Sequence, residues 1–107
     1  AAAGAGAVIY TAEDTVECEL ELMPEDALRL AETVVREMGS LGETSTWEEN
    51  AQIRRRVKGI IGSTEVSIQI VPGAARSKVS VKGRSGLFAD RKTAEAVLER
   101  MRKRSAG

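Results

Sequence analysis

The chain has 107 residues, which suits one domain with a single hydrophobic core. With 42% apolar and 30% charged residues, its composition is typical of a globular protein and excludes a disordered chain. Histidine is absent and Cys18 is the only cysteine. The sequence therefore excludes histidine-based acid–base catalysis, an intramolecular disulfide and a cysteine-based zinc site. We expect no catalytic residues, no cofactor and no metal.

The charges balance overall but are unevenly distributed along the chain. Residues 1–50 carry 12 acidic and 2 basic side chains, a balance of −10, whereas residues 51–107 carry 4 acidic and 14 basic side chains, a balance of +10. Two interpretations are open. Either acidic and basic elements neutralise each other within the domain, or opposite faces stay unpaired and bind another copy, a nucleic acid or an anionic surface.

Residues 1–7 are only alanine and glycine, and we expect them to form a flexible N-terminal segment of a single domain spanning residues 1–107. The segment lacks the basic and long apolar regions of a signal peptide, and it is too short to span a membrane. Position 1 is not methionine, so we expect a processed N-terminus, such as follows a cleaved export or lipoprotein signal, or a cloning remnant.

The first strand and the first helix have clear patterns. Residues 15–22 alternate strictly, which predicts a strand with Cys18 on its buried face and Glu17, Glu19 and Glu21 on the other. Pro24 suits the first turn of a helix, apolar residues follow at helical spacing, and Gly39 is a natural C-terminal stop.

The second half predicts three strands and a helix. Residues 40–50 are polar, and only 44–47 are compatible with a short edge strand. Strands are predicted around residues 51–61, 65–71 and 78–82, the last being broken by glycines 83 and 86. Asp90 suits the N-cap of a second helix with apolar residues at i, i+3, i+4 and i+7. We therefore predict an α+β fold, an antiparallel sheet of four or five strands with two helices packed on one face, in the order β-α-(β)-β-β-β-α.

The basic cluster at the middle of the chain is the main candidate for interaction. By alternation, Arg54, Arg56 and Lys58 face outward, with the spacing of the outward glutamates of the first strand. If the two strands are neighbours, they form a cross-strand ladder of opposite charges. Arg55 has the parity of the apolar residues, so it lies at the sheet rim with its head in solvent, or marks a bulge or a functional charge. Trp47 is either a partial core residue or the wall of a pocket between the sheet and residues 40–50.

Several other partners and activities are disfavoured. The basic segments contain no aromatic residues for base stacking, which argues against nucleic-acid binding. The basic C-terminal helix has a narrow apolar stripe that suits core packing better than a membrane surface. The acidic pairs Glu25-Asp26 and Glu48-Glu49 do not predict an acid–base site, and residues 83–86 lack the ending of a phosphate-binding loop.

The pattern resembles a family of small bacterial lipoproteins known as domain of unknown function 3568. The residues that carry the resemblance are the Ala/Gly start running into Val8-Ile9-Tyr10, the Pro24 to Met38 helix ending at Gly39, Val79-Ser80-Val81-Lys82-Gly83, Phe88-Ala89-Asp90 and the helix over residues 93–101. The chain departs from the family at Ala89, where a glycine is usual, and in extra residues at 84–87. The resemblance implies a periplasmic or envelope address and a lipidated cysteine upstream of Ala1, the only membrane attachment we expect.

Three functions are compatible with these features. The first is a non-enzymatic exported or lipid-anchored envelope domain that acts as a structural or interaction module. The second is a subunit of a homo- or hetero-assembly that uses its acidic and basic faces or a sheet edge. The third is a small-ligand binder or enzyme with a pocket near Trp47. The candidate interaction residues are Arg54, Arg55, Arg56, Lys58 and Trp47.

Overall fold

The computed structural model of the protein describes residues 4–106. In chain order its elements are β1 (Gly4–Ala12), β2 (Thr15–Leu20), α1 (Pro24–Met38), β3 (Ser40–Glu49), β4 (Gln52–Ile61), β5 (Thr64–Gly73), β6 (Arg76–Ser85), β7 (Phe88–Ala89) and α2 (Arg91–Ala106). The predicted α+β class is confirmed, with two helices and an antiparallel sheet. The predicted order of elements omitted β1 and β7, and the predicted strand number was too small.

The sheet has seven strands. Six run in the order β1-β2-β6-β5-β4-β3, and β7 pairs with the end of β6. Every pairing is antiparallel. The four strands from β3 to β6 form a meander of hairpins, and the β1–β2 hairpin joins it at β6. The edges are therefore β1 on one side and β3 on the other.

The two additional strands arise where the sequence pattern is weak. The structure places Gly4 to Ala7 at the start of β1 rather than in a flexible segment, and residues 1–3 of that segment lie outside the described part of the chain. Backbone pairing with β2, such as Gly4 with Leu20, forms this part of the strand without needing apolar alternation. β7 is two residues long, too short for any periodicity to reveal.

The core lies between the sheet and the two helices. α1 packs mainly over β4, and α2 packs over β6 and β2. The alternating side chains of β2, β5 and β6 that face the helices are fully or almost fully buried, including the predicted thiol of Cys18, which is 2% exposed. Desolvation raises the pKa of this thiol to about 11, so it stays protonated at neutral pH.

Gly83 lies inside β6 rather than ending it, because the chain crosses closely at this point. A Cβ atom at this position would lie 2.5 Å from the carbonyl oxygen of Asp90. The Gly83 amide donates to the carbonyl of Asp14, and its own carbonyl accepts from the Asp90 amide. Asp90 in turn caps α2, as predicted, by accepting from the Thr93 amide at 3.1 Å. Gly83 thus ties the β1–β2 turn and the start of α2 to the sheet.

Candidate functional site

The side of the sheet away from the helices is uncovered within the described residues. Both helices contact the sheet on the same side, where the buried residues of β2, β4, β5 and β6 point. The opposite side chains of these strands are therefore accessible, and we call this surface the open face.

Six basic side chains from β4 and β6 lie on the open face. They share the strand parity opposite to the buried valines Val57, Val79 and Val81. We call this set the basic patch: Arg54, Arg56, Lys58, Lys78, Lys82 and Arg84.

The strand register brings the basic residues into rows across the sheet. In one row, Lys58 of β4 pairs with Ser67 of β5, which pairs with Lys82 of β6. Two ammonium groups thus flank a serine hydroxyl. In the next row, Arg56 is followed by Gln69 and then Ser80. Apart from Ser80, whose hydroxyl donates to Glu17, the polar groups of these two rows have hydrogen-bond donors to offer, so the rows favour an oxygen-bearing anion.

These rows form the floor of a broad depression of about 690 Å³. It is a wide, shallow feature lined by both polar and apolar atoms, so it suits an extended partner better than an enclosed small molecule. Its charged lining has four cations against two acids: Arg56, Lys58, Lys82 and Arg84 against Glu43 and Glu65.

Most acidic residues of the open face are held by hydrogen bonds or ion pairs within the fold. Glu17 accepts from the Ser80 hydroxyl at 2.9 Å, and Glu19 accepts from the Ala75 amide at 3.2 Å. A Glu49 carboxylate oxygen lies 3.6 Å from Nε of Arg54. These carboxylates therefore stabilise strand pairs and turns, and among the three only Glu49 forms an ion pair with a cation of the basic patch, Arg54.

Three cations of the basic patch have no ion-pair partner within 4.0 Å among residues 4–106, namely Arg56, Lys58 and Lys78. The Arg56 guanidinium carbon lies 5.1 Å from the centroid of the Trp47 ring, a cation–π contact that holds the side chain along the sheet. The indole of Trp47 is itself oriented by donating to Glu49 at 3.2 Å. Arg56 is thus positioned, and its positive charge is left without a carboxylate.

Asp14 fixes the end of the patch at Arg84. Its Oδ2 accepts from Nη1 of Arg84 at 2.8 Å and lies 4.0 Å from Nζ of Lys82, while its Oδ1 accepts from the Thr15 hydroxyl at 2.8 Å. The hydrogen bond from Arg84 is the largest of several effects that lower the pKa of Asp14 below its ordinary value of 3.8. Arg84 also donates to the carbonyl of Leu87, so both of its terminal nitrogens already donate hydrogen bonds within the fold.

The predicted charge ladder between the first strand and β4 is wrong. β2 pairs with β1 and β6, and two strands separate it from β4. Glu17 therefore faces Ser80, and Glu19 faces Lys78. The predicted parity does hold, since Glu17 and Arg56 lie on the same face.

Of the candidate interaction residues, Arg55 lies on the other face of the sheet. Its side chain is 13% exposed, and its Nη2 lies 3.3 Å from a carboxylate oxygen of Glu25 in the first turn of α1. Its parity with Val57 turns it toward the helices, and the acidic helix start supplies the compensating charge. The expectation that its head lies in solvent is wrong.

The pocket expected between the sheet and residues 40–50 is not formed, because residues 40–49 are themselves the edge strand β3. Trp47 is half-buried and borders the basic patch through Arg56, outside the lining of the large depression. Lys78, Lys82 and Arg84 were not among the predicted interaction residues. Their alternation with the apolar residues Val79 and Val81 was the signal in the sequence that places them on the exposed face of the strand.

Other kinds of site have no support in the described part of the chain. Within residues 4–106, no three potential ligand side chains of histidine, cysteine, aspartate or glutamate gather as a metal site. Neither of the described helices is both long and apolar enough to cross a membrane. Comparison of the chain with protein-family models, with curated proteins and with solved structures found no match.

Proposed function

We propose that this protein is an interaction module rather than an enzyme, and that its open face binds an acidic segment of a partner protein. One observation carries the proposal: Arg56, Lys58 and Lys78 lie on an uncovered sheet face without a carboxylate within ion-pair distance in the described residues. A partner carboxylate that reached them would replace water around these cations, one of which, Arg56, is already held along the sheet by Trp47. The shallow depression gives such a segment room across β4, β5 and β6.

The chemistry of the patch supports an acidic protein segment over a nucleic acid. Arginine binds a carboxylate through two parallel hydrogen bonds, and lysine adds a point charge. Sheets that bind single-stranded nucleic acid stack bases on exposed aromatic rings. On this open face the aromatic residue is Trp47, and the Arg56 guanidinium already lies over its ring.

A pair of charge-matched variants tests the proposal, with short poly-L-glutamate as the probe. Arg56→Gln/Lys58→Gln removes two cations from the patch. Arg36→Gln/Lys103→Gln removes one arginine and one lysine from exposed positions in the last turns of the helices. We expect the first variant to bind poly-L-glutamate about tenfold more weakly, a change of roughly 1.4 kcal/mol, and the second to bind as the wild type does. Isothermal titration calorimetry at low and high salt measures both.

Two results of this experiment would contradict the proposal. Equal weakening in both variants would show a response to net charge rather than to the patch, and would contradict the proposal. Tighter binding of a single-stranded oligonucleotide of the same charge would point to nucleic acid instead. The far-ultraviolet circular dichroism of each variant checks that the fold is intact.

We also propose a bacterial envelope address, with the domain tethered through a lipidated or signal-processed N-terminus. This proposal depends on the resemblance to the lipoprotein family described above. The intact mass of the protein isolated from its native source tests it. A processed or lipidated N-terminus in the membrane or periplasmic fraction is expected, and an unprocessed cytoplasmic form would contradict it.

A further inference from the structure

β1 is an edge strand with no charged residue. The described positions from Ala7 to Ala12 have only small, apolar or hydroxyl side chains, and the chain has no charged side chain before Glu13. Ile9 and Tyr10 on this strand are each 56% exposed. An edge strand with free backbone groups and no charges is a template for pairing with another strand.

The other edge of the sheet is β3, and it differs from β1 in its charged side chains. β3 carries Glu43, Glu48 and Glu49. Register shifts interrupt the backbone pairing of both edge strands, between Leu41 and Thr44 in β3 and at two places in β1. Charged side chains are one of the usual means by which proteins prevent pairing at an edge. The β3 edge is therefore guarded by charge, and the β1 edge is not.

We propose that β1 pairs antiparallel with β1 of a second copy of this chain, which joins the two sheets into one across a two-fold axis. A two-fold contact uses the same surface of both copies, so the surface must be complementary to itself. Backbone pairing along β1 meets this condition, because an antiparallel strand pair is symmetric.

The helix beside β1 supplies a second, independent indication. A groove of about 410 Å³ runs between β1 and α2. Its helix side is a stripe at i, i+3, i+4 and i+7, and its strand side is formed by the two residues of β1 that point toward the helices. The lining residues are Val8, Tyr10, Lys92, Glu95, Ala96 and Glu99.

This stripe is complementary to itself under a two-fold rotation. When two copies of α2 run antiparallel about a point between Glu95 and Ala96, Lys92 of one copy approaches Glu99 of the other, and the same pair recurs on the other side of the axis. Lys92 has no ion-pair partner among residues 4–106, whereas Glu99 pairs with the partly buried Arg102 one turn away. The contact would therefore give Lys92 the partner that the single chain lacks.

The first test introduces charges on the pairing strand and measures the dimer by sedimentation velocity over a concentration series. Ile9→Lys/Thr11→Lys puts two cations on β1 in each copy, at two exposed positions of the pairing strand. Ile9 is half-exposed and pairs with Glu17 of β2, so a lysine there is compatible with the folded monomer. We expect a dimer for the wild type and an increase in its dissociation constant of at least about tenfold for the variant.

The control is Ile53→Lys, which repeats the isoleucine-to-lysine change of position 9 at an exposed strand position next to the guarded edge, opposite Glu48. This variant should dimerise as the wild type does. Circular dichroism melting of all variants separates loss of pairing from loss of folding.

The second test is a charge exchange on α2. Lys92→Glu and Glu99→Lys should each weaken the dimer by placing like charges across the axis, and the double variant Lys92→Glu/Glu99→Lys should restore it. The antiparallel arrangement of the two helices predicts this restoration of the dimer. A general effect of charge would not restore it.

Three results would overturn the proposal. The first is a wild type that stays monomeric at every concentration and salt level. The second is a dimer that persists unchanged in the Ile9→Lys/Thr11→Lys variant, and the third is association that grows past a dimer, as joining β1 to β3 would produce. The proposal does not involve the basic patch, so it can fail while the proposed binding function stands, and the reverse.

Discussion

At the scale of single residues, the contact between Asp14 and Arg84 connects the β1–β2 turn to the end of β6. The Asp14 side chain is 9% exposed, and it receives hydrogen bonds from Arg84 and Thr15. A hydrogen bond to a charged group contributes about 1.5–3 kcal/mol to stability in typical cases, and Arg84 is one-third exposed, which reduces that contribution. This carboxylate therefore affects both the stability of the domain and the geometry of the patch.

We predict that Asp14→Asn lowers the free energy of unfolding by about 1–2 kcal/mol at neutral pH. Because the folded-state pKa of Asp14 is lowered, its stabilisation is fully present above the ordinary value of 3.8 and is lost as the pH falls through the folded-state pKa. The difference between wild type and variant in urea denaturation should therefore shrink below about pH 4. Glu13→Gln, at the exposed neighbouring position, is the control and should change little. A difference that is the same at pH 7 and at the lowest accessible pH would contradict this account.

At the scale of elements, the hairpin between β3 and β4 contains local strain. The two turn residues, Asn50 and Ala51, have φ angles of 53° and 62°. Such a turn requires positive φ at both central positions, and it strongly prefers glycine at the second. Alanine in this conformation has a steric cost between its Cβ atom and the following carbonyl oxygen.

We predict that Ala51→Gly stabilises the protein by about 0.5–1 kcal/mol, although glycine usually destabilises a folded chain. Ala75→Gly is the matched control, because Ala75 lies in the β5–β6 turn and is not among the residues with positive φ. That change should be neutral or slightly destabilising through the entropy of the unfolded chain. Thermal melting of both variants measures the difference, and destabilisation by Ala51→Gly would show that the turn is not strained in this way.

This turn also shows why the edge strand β3 was hard to predict. Asn-Ala lacks the Asn-Gly signal of a tight hairpin, and residues 40–49 are polar on both faces because β3 is at an edge. By contrast, α1 has a proline at its start, a regular apolar stripe and a terminal glycine, and the structure gives it the predicted bounds of Pro24–Met38.

Strand neighbours could not be predicted for a different reason. Alternation assigns a face to each side chain, so it correctly put Glu17 and Arg56 on one side and Cys18 and Val57 on the other. However, β4, β5 and β6 have similar alternating patterns, and nothing local distinguishes which of them pairs with β2. The basic patch requires β4 and β6 to flank β5, so the sequence indicated its cations but not their arrangement.

At the scale of the whole molecule, the fold resolves much of the charge imbalance between the two halves of the chain. Of the ten ion pairs among the described residues, six join an acidic residue of positions 1–50 to a basic residue of positions 51–107. Glu37 of α1, for example, pairs with Arg100 and Arg104 of α2. Three of the six pairs lie in the helix layer, and the other three hold Arg54, Lys82 and Arg84 of the basic patch. Within the described residues Arg56, Lys58 and Lys78 are left without an ion pair, so the open face is the surface where we propose binding.

The most direct measurement of this claim is a ¹H–¹⁵N NMR titration of the intact chain with short poly-L-glutamate, followed residue by residue. We predict that the largest amide shifts occur on the central strands of the open face, at Arg56, Lys58, Ser67 and Lys82, and that they diminish as salt is added. Amides of α1 and α2 should stay unchanged. Shifts centred on the helices, or no shifts on β4, β5 and β6 at saturating peptide, would contradict the account.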